Sequence, residues 1–318
     1  MDRRLVLSGA AAFAALLLAD GCASDPEAAP VARPGQPLRW RTLQGGFLTP
    51  ALPPLGIPAA GGTGMFTRWI APGALALQGN DLLVADTATQ RLWRAELNGQ
   101  LVSGVAGAPV GPDSALLLGP DLSAWVLDTA SAQVLRFARD GRLLQTWRLG
   151  ITRAAPAAMA LADGGATLLL ADGLSATWTE QRAGVPRSIA PELEGGARVS
   201  GVDALASAPA GGVFVLDRLA GAVHEVSREG RVQRTLGRGE LLQPVAIAAD
   251  RIGRVYVHDA QDHSIKRLQA GKPTLRWSAA ELGVQRIGGI AADGWFLAVS
   301  DRLAGLVQVY SFAHDSAP

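Results

Sequence analysis

A single repeated pattern constrains this chain more than any other feature. Six segments share it: LLVADTATQRLWRA (82–95), AWVLDTASAQVLRF (124–137), LLLADGLSATWTEQ (168–181), VFVLDRLAGAVHEV (213–226), VYVHDAQDHSIKRL (255–268) and FLAVSDRLAGLVQVY (296–310). Each is an apolar run that ends in Asp, followed by a polar turn and an alternating run. The Asp residues are Asp86, Asp128, Asp172, Asp217, Asp259 and Asp301, at intervals of 42, 44, 45, 42 and 42. Self-similarity at a fixed period of roughly 20–50 residues marks a chain built of units that cannot bury their apolar faces alone.

Each unit contains more than these two runs. Upstream lies a short run of small residues: GALAL (73–77), DSALLL (113–118), AAMALA (157–162), DALASA (203–208), VAIAAD (245–250) and GGIAAD (288–293). Pro72, Pro112, Pro156 and Pro244 precede four of them, a position compatible with the start of a strand. Downstream, LLQTWRL (143–149), RVQRTLG (231–237) and PTLRWSA (273–279) read as fourth strands. The alternation has period two, not 3.6. Four short antiparallel strands per unit of about 43 residues predict an all-β chain, a six-bladed β-propeller of four-stranded blades. Ala and Gly suit the innermost strand, which crowds the axis. Leu, Val, Phe and Trp then pack between blades.

The pattern of Pro, an Ala-rich strand, Gly, a strand ending in Asp and a further alternating strand resembles the NHL repeat. Its best instance is Pro244-Val-Ala-Ile-Ala-Ala-Asp-Arg-Ile-Gly-Arg-Val-Tyr-Val-His-Asp259, continuing through Ser264–Leu268. The resemblance covers about residues 72 to 312, and it implies six blades. The sixth unit ends after three strands. Pro37-Leu-Arg-Trp-Arg-Thr-Leu43 is similar to the fourth strand Pro273-Thr-Leu-Arg-Trp-Ser-Ala279. Residues 37–44 are therefore expected to complete the last blade, giving a propeller over 37–315 with no open edge. Residues 45–71 fall outside the repeat and read as an irregular loop. Its Phe47, Met65, Phe66 and Trp69 look exposed and form a candidate partner-docking loop.

The first 21 residues read as a secretory signal: Arg3 and Arg4, then an apolar run over Leu5–Ala19 that is too short to span a bilayer. Leu18-Ala19-Asp20-Gly21-Cys22 resembles a bacterial lipobox, in which the Cys is acylated. The resemblance implies lipidation at Cys22 and a membrane anchor. With Ala23 rather than Asp after the Cys, it also implies an outer-membrane lipoprotein facing the periplasm. Residues 22–36 are rich in Ala and Pro and read as a flexible tether.

Composition narrows the function classes. A net charge of +1 leaves no electrostatic case for nucleic acid. A single Cys in 318 residues excludes an internal disulfide framework and a Cys-cluster metal site. No catalytic residue, cofactor or metal is read from the motifs. There is no Gly-x-Ser-x-Gly, and Asn occurs only at Asn80 and Asn98, neither in an axial strand. The recurrent Asp set is expected to hold turns, since a short carboxylate at a strand end accepts backbone N–H groups. Residues that break the symmetry are better site candidates: Asp113, Asp203, His258 and Arg286, expected near the mouth of the axial channel. The sequence thus predicts an anchored periplasmic propeller that serves as a protein- or ligand-binding scaffold, with a protein partner in the cell envelope. The alternative is a lyase-like or lactone-hydrolase-like enzyme, in which those four residues converge.

Overall fold

In the computed structural model, the described residues are 35–48, 64–149, 158–171, 176–181, 187–209 and 211–312. The signal, Cys22 and nearly all of the tether lie outside them, as do Asp172 and residues 49–63. Strands β1 (Leu38–Leu43), β2 (Gly45–Leu48) and β3 (Phe66–Arg68) precede the first repeat. Blade 1 holds β4 (Pro72–Gln78), β5 (Asp81–Asp86), β6 (Arg91–Glu96) and β7 (Leu101–Val105). Blade 2 holds β8 (Ala115–Leu118), β9 (Ala124–Asp128), β10 (Gln133–Phe137) and β11 (Leu143–Arg148). Blade 3 holds β12 (Ala158–Ala162), β13 (Thr167–Ala171), β14 (Trp178–Gln181) and β15 (Arg187–Ile189). Blade 4 holds β16 (Ala204–Ser207), β17 (Val213–Asp217), β18 (Ala222–Val226) and β19 (Val232–Leu236). Blade 5 holds β20 (Pro244–Ala249), β21 (Val255–Asp259), β22 (Ser264–Leu268) and β23 (Leu275–Ser278). Blade 6 holds β24 (Ile287–Asp293), β25 (Phe296–Asp301) and β26 (Leu306–Ser311). The chain is a six-bladed β-propeller.

Blade 6 takes its fourth strand from the N-terminal part of the chain, as the likeness to β23 predicts. β1 pairs antiparallel with β26, from Leu38↔Ser311 to Leu43↔Val307. The core is six apolar layers, one between each pair of neighbouring blades. Leu83 and Ala85 pack toward blade 2 with Leu116 and Val126, whereas Leu82 and Val84 pack toward blade 6 with Ala298 and Val309. Period-two alternation sends successive side chains to opposite neighbours, so a strand buried on both sides reads as a continuous apolar run.

Within residues 45–71, the described parts, 45–48 and 64–71, form strands rather than irregular loop alone. β2 pairs parallel with β7 through Phe47↔Leu101 and Leu48↔Val102, and β3 pairs antiparallel with β2. Blade 1 thus has six strands. The outer edge of β7 offers unpaired backbone groups, and β2 takes them up. Gly45 permits this: its φ is +128°, and a Cβ there would lie 1.9 Å from the Thr67 carbonyl oxygen. The docking-loop expectation is corrected at Trp69, which is 1% exposed in the layer between blades 6 and 1, against Leu43 and Val307. Phe47 is half-buried and meets Phe66 edge-on at 5.3 Å. Met65 and Phe66 are exposed.

Candidate functional site

The recurrent carboxylates define one face of the disc. Asp301 accepts the N–H groups of Leu303 and Ala304 at 3.0 Å, in the turn after its strand. It also accepts Gln285 N–H at 2.7 Å and Arg286 N–H at 3.2 Å, in the segment that enters β24. Asp86 does the same with Ala88, Ile70 and Ala71, and Asp259 with Gln261, Leu242 and Gln243. Each of these carboxylates ties the turn between second and third strands to the loop before the first strand. That is the fold role expected of the set, and in blades 1, 5 and 6 it places both loops at one end.

The second Asp set, at the opposite end, joins blades. Arg251 of blade 5 donates to Asp293 of blade 6 at 2.8 Å, and Asp293 also accepts Gly79 N–H of blade 1. Asp250 is paired within blade 5 with buried Arg254, whose guanidinium donates to the Gly294 carbonyl of blade 6, and Asp163 of blade 3 is paired with Arg228 of blade 4 at 2.9 Å.

Between the two ends runs an axial cavity of about 1060 Å³, walled by the innermost strands of the blades. Its side walls are small or apolar, among them Leu117, Met159, Val245 and Ile247. Among the described residues, ionisable side chains stand only near its ends: Asp113, Asp203 and Arg218 toward the loop-rich face, and Asp250, Arg251 and Asp293 at the other. Arg218 N–H donates to Asp203 at 2.8 Å, with its guanidinium 3.9 Å from the same carboxyl.

Of the four symmetry-breaking residues, two reach this cavity. Asp113 and Asp203 line it. His258 does not: it alternates with Val257 and shares the side of Tyr256, which packs toward blade 6. Burial lowers its pKa to about 4, with His263 adding to the shift and Asp259 and Asp262 opposing it, so it is neutral at pH 7. Arg286 is exposed outside the cavity lining. The four do not form one constellation. Among the described residues no group of three His, Cys, Asp or Glu side chains is placed to hold a metal ion, and no helix is long and apolar enough to cross a membrane.

No family model matches the chain, and no curated protein does either. Solved structures do. A streptogramin B lyase superposes with a TM-score of 0.53 at 9% identity, over 76% of this chain and 83% of the other. An inactive virginiamycin B lyase from Staphylococcus aureus, solved with quinupristin, gives 0.51 at 12% identity over 78% and 86%. Hydrazine synthase from Kuenenia stuttgartiensis gives 0.54 at 13% identity over 80% and 99%. At these identities the likeness establishes the fold.

The loop-rich face carries a feature that sequence reasoning missed. Leu219, Leu303, Ile70 and Leu242 are 83%, 63%, 60% and 56% exposed. Leu219 and Leu303 sit in turns between second and third strands. Ile70 and Leu242 donate their N–H groups to Asp86 and Asp259, which fixes them to the same face. Gly221 abuts the Leu241 carbonyl and Gly305 the Trp69 and Ile70 carbonyls. The turns bearing Leu219 and Leu303 therefore lie beside the segments bearing Leu242 and Ile70, at the junctions of blades 4 and 5 and of blades 6 and 1. The signal was present in the sequence as one tetrapeptide used twice, Arg218-Leu-Ala-Gly221 and Arg302-Leu-Ala-Gly305.

Proposed function

We propose that this protein is an NHL-like propeller lipoprotein, anchored through Cys22 to the outer membrane and facing the periplasm, that docks a protein partner of the cell envelope on its loop-rich face. One observation carries the docking part of this reading: four large apolar side chains stand exposed on a single face around the end of the axial cavity bearing Asp113 and Asp203. Isolated exposed apolar residues are ordinary, but a set gathered on one face marks an interaction surface. Exposed Met65 and Phe66, at the start of β3, extend the apolar surface available at the edge of blade 1. The anchor is supported by the apolar leader and the lipobox-like residues that end at Cys22.

Two variants test the two halves separately. The wild-type protein, purified from detergent-solubilised envelopes, is expected to bring down a stoichiometric partner. Leu219→Asp combined with Leu303→Asp is expected to lose that partner while keeping the wild-type unfolding temperature. Retention of the partner by the double variant would overturn the docking surface. Cys22→Ala is expected to release the protein into the soluble fraction; continued sedimentation with membranes would overturn the anchor.

A further inference from the structure

We propose that the axial cavity is a binding site for an organic cation, with an apolar body between the innermost strands and an ammonium group at Asp113. This inference is independent of the docking surface, since a small molecule in the cavity touches none of the four exposed side chains.

The size fits. At about 1060 Å³, the cavity lies just above the range of roughly 300–1,000 Å³ usual for small-molecule sites. The walls fit as well. Leu117, Val245 and Ile247 line the cavity and are only half-buried, so they retain apolar surface that a ligand would remove from water.

Charge decides the class of ligand. Pairing off the described ionisable side chains that line the cavity leaves one over. Asp293 is matched by Arg251, Asp250 by Arg254 and Asp203 by Arg218. Asp113 has no hydrogen-bonding or charged partner among the described residues. An anionic head group at this end would meet the carboxylates of Asp113 and Asp203, where the one described cation, Arg218, stands beside Asp203 at 3.9 Å. At the far end it would find Arg251 and Arg254 already committed to carboxylates. Asp113 is exposed at the cavity's end, and a cationic head group there gains a charge-assisted hydrogen bond while its apolar body enters the cavity.

Three probes with one body separate charge from hydrophobicity: 4-phenylbutylamine, 4-phenylbutanol and 4-phenylbutyrate, titrated calorimetrically into the purified chain. The amine is expected to bind at least ten-fold more tightly than the alcohol, and the acid least of all. Asp113→Asn is expected to lower amine affinity about ten-fold and leave the alcohol unchanged. Ala115→Trp, which fills the cavity from β8, is expected to abolish binding of both. Unfolding temperatures of both variants check that the fold is intact. The proposal is overturned if none of the probes binds or if the acid binds as well as the amine. It is equally overturned if Asp113→Asn leaves amine affinity unchanged, or if a folded Ala115→Trp variant still binds.

Discussion

The Lys266 ammonium stands 2.7 Å from an Asp259 carboxylate oxygen, with side-chain exposures of 5% and 0%. The same ammonium donates to the Glu240 carbonyl at 2.7 Å and meets Asp262 at 3.0 Å. Burial pushes the Asp259 pKa up, but Lys266 and the N–H groups of Leu242 and Gln243 outweigh it and hold the carboxyl below its ordinary value. Removing one partner of a buried ion pair leaves the other uncompensated. Lys266→Met is therefore expected to lower unfolding free energy by about 3 kcal/mol, read by urea denaturation at pH 7. The depressed carboxyl contributes stability that is present above its unfolded value and lost as pH falls. The variant should therefore also lose less stability than the wild type on acidification below about pH 4.

His258 sets a second, higher pH window. Its pKa falls from 6.5 to about 4, chiefly through burial. The unfolded chain then binds a proton that the folded chain rejects. Stability is present above pH 6.5 and declines as pH falls toward 4. At ~1.4 kcal/mol per pKa unit, the decline attributable to this group is on the order of 3 kcal/mol. His258→Gln should flatten the stability profile between pH 6.5 and 4 in urea titrations. A profile as steep as the wild type's would show that His258 is not its source.

Much of the fold was legible because its signals are local. The apolar run ending in Asp encodes β5, β9, β17, β21 and β25 without reference to neighbours, and Leu38-Arg-Trp40 announces a fourth strand by its likeness to Leu275-Arg-Trp277. Outer strands were harder to see: β7 and β15 carry no reading in the sequence, and only their likeness within the repeat reveals strands as exposed as β11. The β2–β7 pairing joins Phe47 to Leu101, a relation that no short window contains. Trp69 was misread for a similar reason, since the layer that buries it exists only once the ring has closed. At the site, Asp113 and Asp203 follow from their place at the head of innermost strands. His258 required the side of its strand to be known, and Arg286 contributes its backbone N–H to Asp301 rather than a side chain to the cavity.

Ring closure rests on β1 and can be measured by truncation. Leu38–Leu43 contributes the outer strand of blade 6, and the Thr42 hydroxyl bonds Gln308 at 2.6 Å. Arg41 donates to the Leu97 carbonyl of blade 1 at 2.8 Å, so the segment links the first blade to the last. A chain beginning at Gly35 is expected to unfold at the temperature of one beginning at Cys22. A chain beginning at Gly45 should unfold at least 10 °C lower, since a loss of about 1 kcal/mol alone shifts the midpoint by ~2–4 °C in a chain of this size, and it should self-associate through the bared edge of β26. Equal melting temperatures and a monomeric short form would show that β1 is dispensable.

The residue just before the third strand adopts left-handed backbone geometry in five blades: Gln90, Ala132, Gly221, His263 and Gly305, with φ between 48° and 67°. This recurrence accounts for His263 as a turn residue. An L side chain in that region costs roughly 1–2 kcal/mol, partly offset by the greater freedom of glycine in the unfolded chain. Ala132→Gly is therefore expected to raise unfolding free energy by up to ~1 kcal/mol. The converse change at Gly305 meets a second obstacle, because a Cβ there would lie 2.7 Å from the Trp69 carbonyl oxygen. Gly305→Ala should lower stability by about 2 kcal/mol or more, and more than Gly271→Ala, which shares the positive φ but meets nothing within 4 Å. Urea denaturation of the three variants checks the ordering, and equal losses at Gly305 and Gly271 would show that backbone geometry alone, not the contact across blades 6 and 1, sets the requirement.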